Sequence, residues 1–175
     1  CLCHGKLRMK PFNVLVLCTG NSARSILGEA LFNHLGRGRI HAFSAGSQPS
    51  GKVNPVALET FAAHGVPWPT AGPPRSRWSD EFAESGMPPM DFIFPVCASA
   101  AGEACPVWPG HPATAHWGID DPAHVEPLEA RRAAFEVAYG ELEKRIAAFL
   151  KLPLETMSTA AVAAAARKIH LEAGQ

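Results

Sequence analysis

A cysteine and an arginine stand six positions apart in this chain, and both side chains do chemistry on oxyanions. Cys18 and Arg24 enclose a short segment that contains Gly20, and Ser25 follows directly. Glycine lets the backbone turn with successive N–H groups facing inward, which makes a concave site for a tetrahedral anion. The guanidinium of Arg24 can bind two oxygens of that anion. We therefore predict an oxyanion-binding loop composed of Thr19, Gly20, Asn21, Ser22, Ala23, Arg24 and Ser25.

The cysteine at the base of this loop is the predicted nucleophile. The inward N–H groups and the positive N-terminal end of the next helix should favour the thiolate form of Cys18. The hydroxyl of Ser25 can donate a hydrogen bond to that thiolate, and Asn21 tolerates a left-handed backbone that closes the loop. The structural alternative is a buried cysteine beside an unrelated glycine turn. The position of the segment between a predicted strand and a predicted helix favours the functional interpretation.

Two carboxylates occur late in the chain, in Asp120-Asp121-Pro122. A thiolate that attacks an oxyanion needs a carboxylic acid on the opposite side to protonate the leaving oxygen. These aspartates are candidates for that acid, although Asp-Pro is also common in turns and helix caps.

Two further cysteines, Cys97 and Cys105, lie in the middle of the chain, whereas Cys1 and Cys3 belong to an N-terminal stretch that we expect to be inactive. Without Cys1 and Cys3, three cysteines remain. An odd number of cysteines in a chain without an export signal argues against a disulfide framework. A zinc site with the nearby His111 and His116 is disfavoured, because seven residues between the two cysteines do not match a zinc knuckle. We expect no metal site and no cofactor.

Predicted strands and helices alternate along the chain. This alternation predicts a three-layer α/β fold with a parallel sheet flanked by helices, in which ligands bind at the carboxyl ends of the strands. Cys18 and Cys97 each follow a strand, so both fall at that edge. We expect a disordered extension over 1–10, the catalytic domain over 11–152 and a helical extension over 153–175. The predicted strands are 13–17, 39–45, 91–96 and 113–119; the predicted helices are 23–35, 55–64, 79–84, 126–150 and 158–172.

The composition excludes several classes of partner. The 16 basic and 16 acidic residues cancel, so nothing favours nucleic acid or an anionic membrane as the main partner. The sequence has no run of about 18 apolar residues and no signal-peptide pattern, which predicts a cytoplasmic protein.

The segment Cys18–Ser25, between its strand and helix, resembles the loop of the low molecular weight protein tyrosine phosphatase family and of the arsenate reductases that share its fold. The similarity extends over about 12–150. It implies thiolate attack on phosphate or arsenate, with Arg24 and the loop amides stabilising the transition state. It also implies that Asp121 is the acid, with Asp120 as the alternative. Glu29 and Ser44 resemble polar positions that stabilise the loop from behind.

The stretches 96–109 and 116–122 resemble thioredoxin-coupled arsenate reductases. The resemblance implies a relay in which Cys97 attacks the arsenate-bearing Cys18 and Cys105 then attacks Cys97, with thioredoxin or a similar thiol as the reductant. Ala123 stands where the phosphatases usually have an aromatic residue that walls a phenol pocket. This difference favours arsenate over an aryl phosphate as the ligand.

Three alternatives remain open. The chain could hydrolyse phosphomonoesters, or it could be a non-catalytic oxyanion or redox sensor. Cys97 and Cys105 could be core residues.

Arg75 and Arg77 are predicted to lie on a solvated loop face rather than at the rim of the anion site.

Overall fold

The computed structural model describes residues 10–84, 86–96 and 110–174 of the chain. Strands and helices alternate over most of this length, as the hydrophobic pattern predicts. The elements in chain order are β1 (Phe12–Cys18), α1 (Arg24–Gly36), β2 (Ile40–Gly46), α2 (Pro55–His64), a 3₁₀ helix (Ser79–Phe82), β3 (Phe92–Pro95), β4 (Ala113–Thr114), α3 (Leu128–Leu150) and α4 (Thr159–Ala173).

The strands form one sheet in the order β2-β1-β3-β4, and every pairing is parallel. Strand β1 lies inside the sheet, and its run of apolar side chains is buried on both faces, as expected of such a strand. The carboxyl ends of β1 and β2 are in register, with Cys18 opposite Gly46. The predicted fold, a parallel sheet flanked by helices, is confirmed.

Alternate residues of β1 point into two separate apolar clusters. Val14 and Val16 face the larger cluster, which the four α-helices complete. Leu15 and Leu17 face a smaller cluster, with Phe82 of the 3₁₀ helix among its members. Since both faces of the strand are covered, the end of β1 is held firmly where the functional loop begins.

Strand β4 is shorter than the predicted 113–119. The segment continues alongside β3 after Thr114, because Ala115 and Trp117 donate backbone hydrogen bonds to Ile93 and Pro95 at 3.1 and 2.8 Å. Pro95 has no N–H with which to donate back, so the ladder is one-sided beyond this point. The prediction of an extended segment was right, but its assignment as a full strand was wrong.

Two helices begin next to a side chain that caps them. The side chain of Asn54 accepts a hydrogen bond from the backbone N–H of Val56, and Pro55 takes the first position of α2. Ser158 caps α4 in the same way, through the N–H of Ala161. Among the described residues, none of the helices is both long and apolar enough to pass through a lipid bilayer.

Candidate functional site

The loop after β1 turns its carbonyl groups away from the centre of the site. The carbonyls of Thr19, Gly20 and Ser22 accept hydrogen bonds from backbone N–H groups of residues 48, 50 and 54 at 2.8–2.9 Å, and that of Cys18 accepts from residue 47 at 3.3 Å. The C=O of a peptide unit points opposite to the N–H of the following residue. The amides of residues 19, 20, 21 and 23 therefore point away from these partners, as the N–H groups of an anion-binding nest do.

Asn21 holds the loop closed, and it has the predicted left-handed backbone, with φ of 42°. The fully buried side chain amide donates to Ser25 Oγ at 2.9 Å, and its oxygen accepts from the N–H of Arg77 at 2.7 Å. Since Ser25 Oγ accepts here, the hydroxyl hydrogen remains to be donated. Its donation to Cys18 stays a prediction.

Gly46, at the end of β2, lets the loop approach the sheet closely. A Cβ at this position would lie 2.4 Å from the carbonyl oxygen of Thr19 and 3.0 Å from the nitrogen of Asn21. The first distance is far shorter than the van der Waals distance between a carbon atom and a backbone oxygen. The glycine is therefore required by the loop that packs on it.

Arg24 is the first residue of α1, and its side chain is only 10% exposed. Nη1 donates to the carbonyl of Ile119 at 2.8 Å, and Nη2 donates to Asp121 Oδ2 at 2.9 Å. Within the described part of the chain, the buried Nε has no hydrogen-bond acceptor. A buried N–H without an acceptor costs free energy, so this atom is suited to an oxygen supplied by a ligand.

These groups line one cavity of about 330 Å³ at the carboxyl end of β1. Cys18 and Asp121 both line it; Cys18 is buried, whereas the side chain of Asp121 is 42% exposed. Asp120 does not line this cavity but a neighbouring one. The cavity lining comprises Cys18, Thr19, Gly20, Ser22, Ala23, Arg24, Ser50, Asp121 and His124.

Two of these lining residues, Ser50 and His124, were not among the predicted site residues. His124 lies three positions after Asp121, so its place on the same loop was an available signal. Ser50 is brought to the cavity by the hydrogen bond from its N–H to the carbonyl of Gly20, which the sequence pattern does not indicate. Cys97 and Cys105, predicted to act with Cys18, lie outside the described residues.

A buried ionic cluster supports the loop from behind. Glu29 is 1% exposed, accepts a hydrogen bond from Ser44 Oγ and forms an ion pair with Arg77 at 3.1 Å. Burial raises the pKa of Glu29 from 4.5 to about 7, although Ser44 and the positive charge of Arg77 oppose the rise. The cluster joins α1 and β2 to the segment that binds Asn21.

Arg77 is not on a solvated loop face, and that prediction was wrong. Its side chain is 12% exposed, and its guanidinium lies 5.6 Å from the ring centre of Phe82 as well as against Glu29. The buried carboxylate provides the countercharge that lets an arginine leave solvent. Arg75 is exposed, as predicted.

Comparison with known proteins agrees with this geometry. The family model described as low molecular weight phosphotyrosine protein phosphatase matches residues 13–162. The arsenate reductase of Shouchella clausii is 32% identical over 78% of this chain and 93% of its own length.

Solved structures share the fold. An arsenate reductase from Archaeoglobus fulgidus is 26% identical, with a TM-score of 0.61 over 79% of this chain and 99% of its own. A thioredoxin-dependent arsenate reductase from Corynebacterium glutamicum is 23% identical, with a TM-score of 0.55 over 79% of this chain and 61% of its own. The chain belongs to the low molecular weight phosphotyrosine protein phosphatase family, and its similar relatives include arsenate reductases.

Proposed function

We propose that this chain reduces arsenate to arsenite, with Cys18 as the nucleophile. The observation that carries the proposal is the arrangement of Cys18, the unpaired Nε of Arg24 and Asp121 around one cavity in the described part of the chain. The names of the curated relatives favour arsenate over other tetrahedral oxyanions as the substrate.

The first step forms a bond between sulfur and arsenic. The thiolate of Cys18 attacks arsenic, and one oxygen of arsenate leaves as water after protonation by Asp121. Arg24 and the loop amides of residues 19–25 neutralise the charge that develops on the remaining oxygens. His124 adds a polar residue to the lining of the cavity.

The second step moves two electrons from sulfur to arsenic. The thiolate of Cys97 attacks the sulfur of Cys18, so an S–S bond forms while the S–As bond breaks. The electron pair of the broken bond stays on arsenic, which leaves as arsenite. Cys105 then attacks Cys97 and releases the Cys18 thiolate, and an external dithiol such as thioredoxin reduces the Cys97–Cys105 disulfide.

The experiment follows arsenate-dependent NADPH oxidation in the presence of thioredoxin and thioredoxin reductase. Cys97→Ser and Cys105→Ser are each expected to abolish multiple turnover. Without reductant, the wild type and Cys105→Ser should each release about one arsenite per chain, whereas Cys97→Ser should release none. Cys1→Ser and Cys3→Ser are the matched controls and should retain full turnover.

Multiple turnover that survives both Cys97→Ser and Cys105→Ser would contradict the relay. The family also contains phosphatases, so aryl phosphate hydrolysis is measured on the same variants. Efficient hydrolysis in the Cys97→Ser/Cys105→Ser double variant, with no arsenite formed by the wild type, would assign the chain to phosphomonoester hydrolysis instead. Phosphate binding without either reaction would indicate an oxyanion sensor.

A further inference from the structure

Helix α4 lies against α3 and the short edge strand β4, and it buries Val162 and Ala166 in the larger apolar cluster. The family match ends at residue 162, so most of α4 lies beyond it. The helix therefore adds a contact surface next to the last strand of the sheet, on the segment that leads to the site.

A polar contact fixes the C-terminal half of α4. The side chain of Arg145 is 4% exposed, and its Nε donates to Nδ1 of His170 at 3.2 Å. The nitrogen that accepts must be unprotonated. Burial, with the nearby charge of Arg145, lowers the pKa of His170 below its usual 6.5, so the neutral ring can accept this bond at neutral pH.

The connection from α4 to the site begins at Trp117. This side chain is fully buried, and its ring centre lies 4.2 Å from that of Phe94. Its indole N–H donates to the carbonyl of Ala166, inside α4, at 2.9 Å. An indole that is packed on one side and hydrogen-bonded on the other has a single available position.

The connection ends at the charged groups of the cavity. Two residues after Trp117, the carbonyl of Ile119 accepts the bond from Arg24 Nη1 at 2.8 Å. Two residues further on, Asp121 accepts from Nη2 of the same guanidinium at 2.9 Å. Both acceptors that orient Arg24 are therefore carried by the short segment that Trp117 anchors.

We propose that Trp117 is a positioning residue for the oxyanion site, held by α4 and acting through Ile119 and Asp121 on Arg24. The proposal rests on the proposed function in one respect, because it takes the cavity to be the oxyanion site. A shift of the 117–121 segment moves the Nε of Arg24 away from the anion and changes the affinity of the site, with Cys18 and its loop untouched.

The test measures anion affinity without any reduction step. Inorganic phosphate protects Cys18 from iodoacetamide, and the modified peptide is quantified by mass spectrometry over a range of phosphate concentrations. Trp117→Phe, which removes the indole N–H, is expected to raise the dissociation constant of phosphate about threefold to tenfold. Trp68→Phe is the matched control, because it removes an indole hydrogen bond to Thr70 at the surface and should leave the constant unchanged.

Thermal unfolding and near-ultraviolet circular dichroism establish that each variant is folded at the temperature of the assay. Val162→Ala weakens the packing of α4 and leaves Trp117 intact, so it should also raise the dissociation constant of phosphate. A merely structural role would lower the melting temperature and leave the phosphate dissociation constant of the folded variants unchanged, and that result would overturn the proposal. Failure of arsenate reduction alone would contradict only the proposed function, because phosphate protection does not depend on it.

Discussion

Arg24 and Asp121 lie 97 positions apart in the chain, and their side chains meet at 2.9 Å in the lining of the cavity. The second bond of the guanidinium, to the carbonyl of Ile119, comes from the same segment. Arg24 therefore uses both terminal nitrogens to fix its own orientation. Its Nε remains without an acceptor among the described residues, as does the buried Nε of Arg77, but only Arg24 lines the cavity with Cys18. The same contact holds the proposed acid in the lining of the cavity that also contains Cys18.

Asp121→Asn is expected to slow the chemical step about 100-fold to 10,000-fold, because the amide cannot supply a proton to the leaving oxygen. The amide oxygen can still accept from Arg24, so phosphate binding should change little. Single-turnover arsenite release and phosphate protection of Cys18 measure the two effects separately.

Asp120→Asn is the control for this prediction, since Asp120 is exposed and does not line the cavity with Cys18. If the two substitutions slow the reaction equally, Asp121 is not the acid. The ion pair is partly exposed, so neither substitution should lower the free energy of unfolding by more than about 1 kcal/mol.

Asn21→Ala should destabilise the protein by about 2–4 kcal/mol, and Asn21→Gly by less. Both substitutions remove the hydrogen bonds to Ser25 and Arg77, but only alanine must also hold a left-handed backbone at a cost of about 1 kcal/mol. Urea unfolding of the two variants isolates the backbone contribution as their difference. Equal stability of the two variants would show that the left-handed conformation is not strained.

Local patterns were sufficient for much of the fold. The apolar run of β1, the start of α2 at Pro55 and the start of α4 near residue 158 each depend on neighbouring residues, and each is observed. The left-handed Asn21 is of the same kind, because its side chain chemistry matches the turn that it makes.

Features that depend on a distant partner were not predictable in this way. Arg77 was expected in solvent because its countercharge, Glu29, lies 48 positions away in the chain. The early end of β4 depends on Pro95 in a neighbouring strand. Ser50 reaches the cavity through a backbone bond to Gly20, and no side chain pattern reports such a bond.

Glu29→Gln should remove a pH dependence from the stability of the protein. The pKa of Glu29 is raised from 4.5 to about 7, so the folded protein holds this proton more tightly than the unfolded chain does. The contribution to stability is therefore complete below about pH 4.5 and is lost as the pH rises through about 7. The loss corresponds to about 3 kcal/mol.

Urea unfolding between pH 4 and pH 8 measures this contribution. The stability of Glu29→Gln relative to the wild type should increase with pH across the interval, on top of a constant cost for any change in the hydrogen bond with Ser44. The comparison is Glu155→Gln, at a surface pair with Arg39 where the ion pair lowers the pKa of the carboxyl. Its stabilising contribution is lost only as the pH falls. The stability of Glu155→Gln relative to the wild type should therefore change with pH in the opposite direction to that of Glu29→Gln. Parallel curves for the wild type and Glu29→Gln would contradict the prediction.

Gly46→Ala should weaken phosphate binding at Cys18 while the sheet still forms. The added Cβ would lie 2.4 Å from the carbonyl oxygen of Thr19, and neither atom belongs to a flexible side chain that could move aside. The loop must shift by several tenths of an ångström, which is enough to disturb donors that require distances of about 3 Å to the anion. We expect phosphate affinity to fall at least about tenfold and stability to fall by about 1–3 kcal/mol.

Gly140→Ala is the matched substitution, because the added Cβ has no heavy atom within 4 Å outside its own helix turn and lies in the interior of α3. It should leave phosphate affinity unchanged and raise stability by about 0.5–1 kcal/mol. Retention of full affinity by Gly46→Ala would mean that the loop does not need its close approach to β2, and the support assigned to Gly46 would then be wrong.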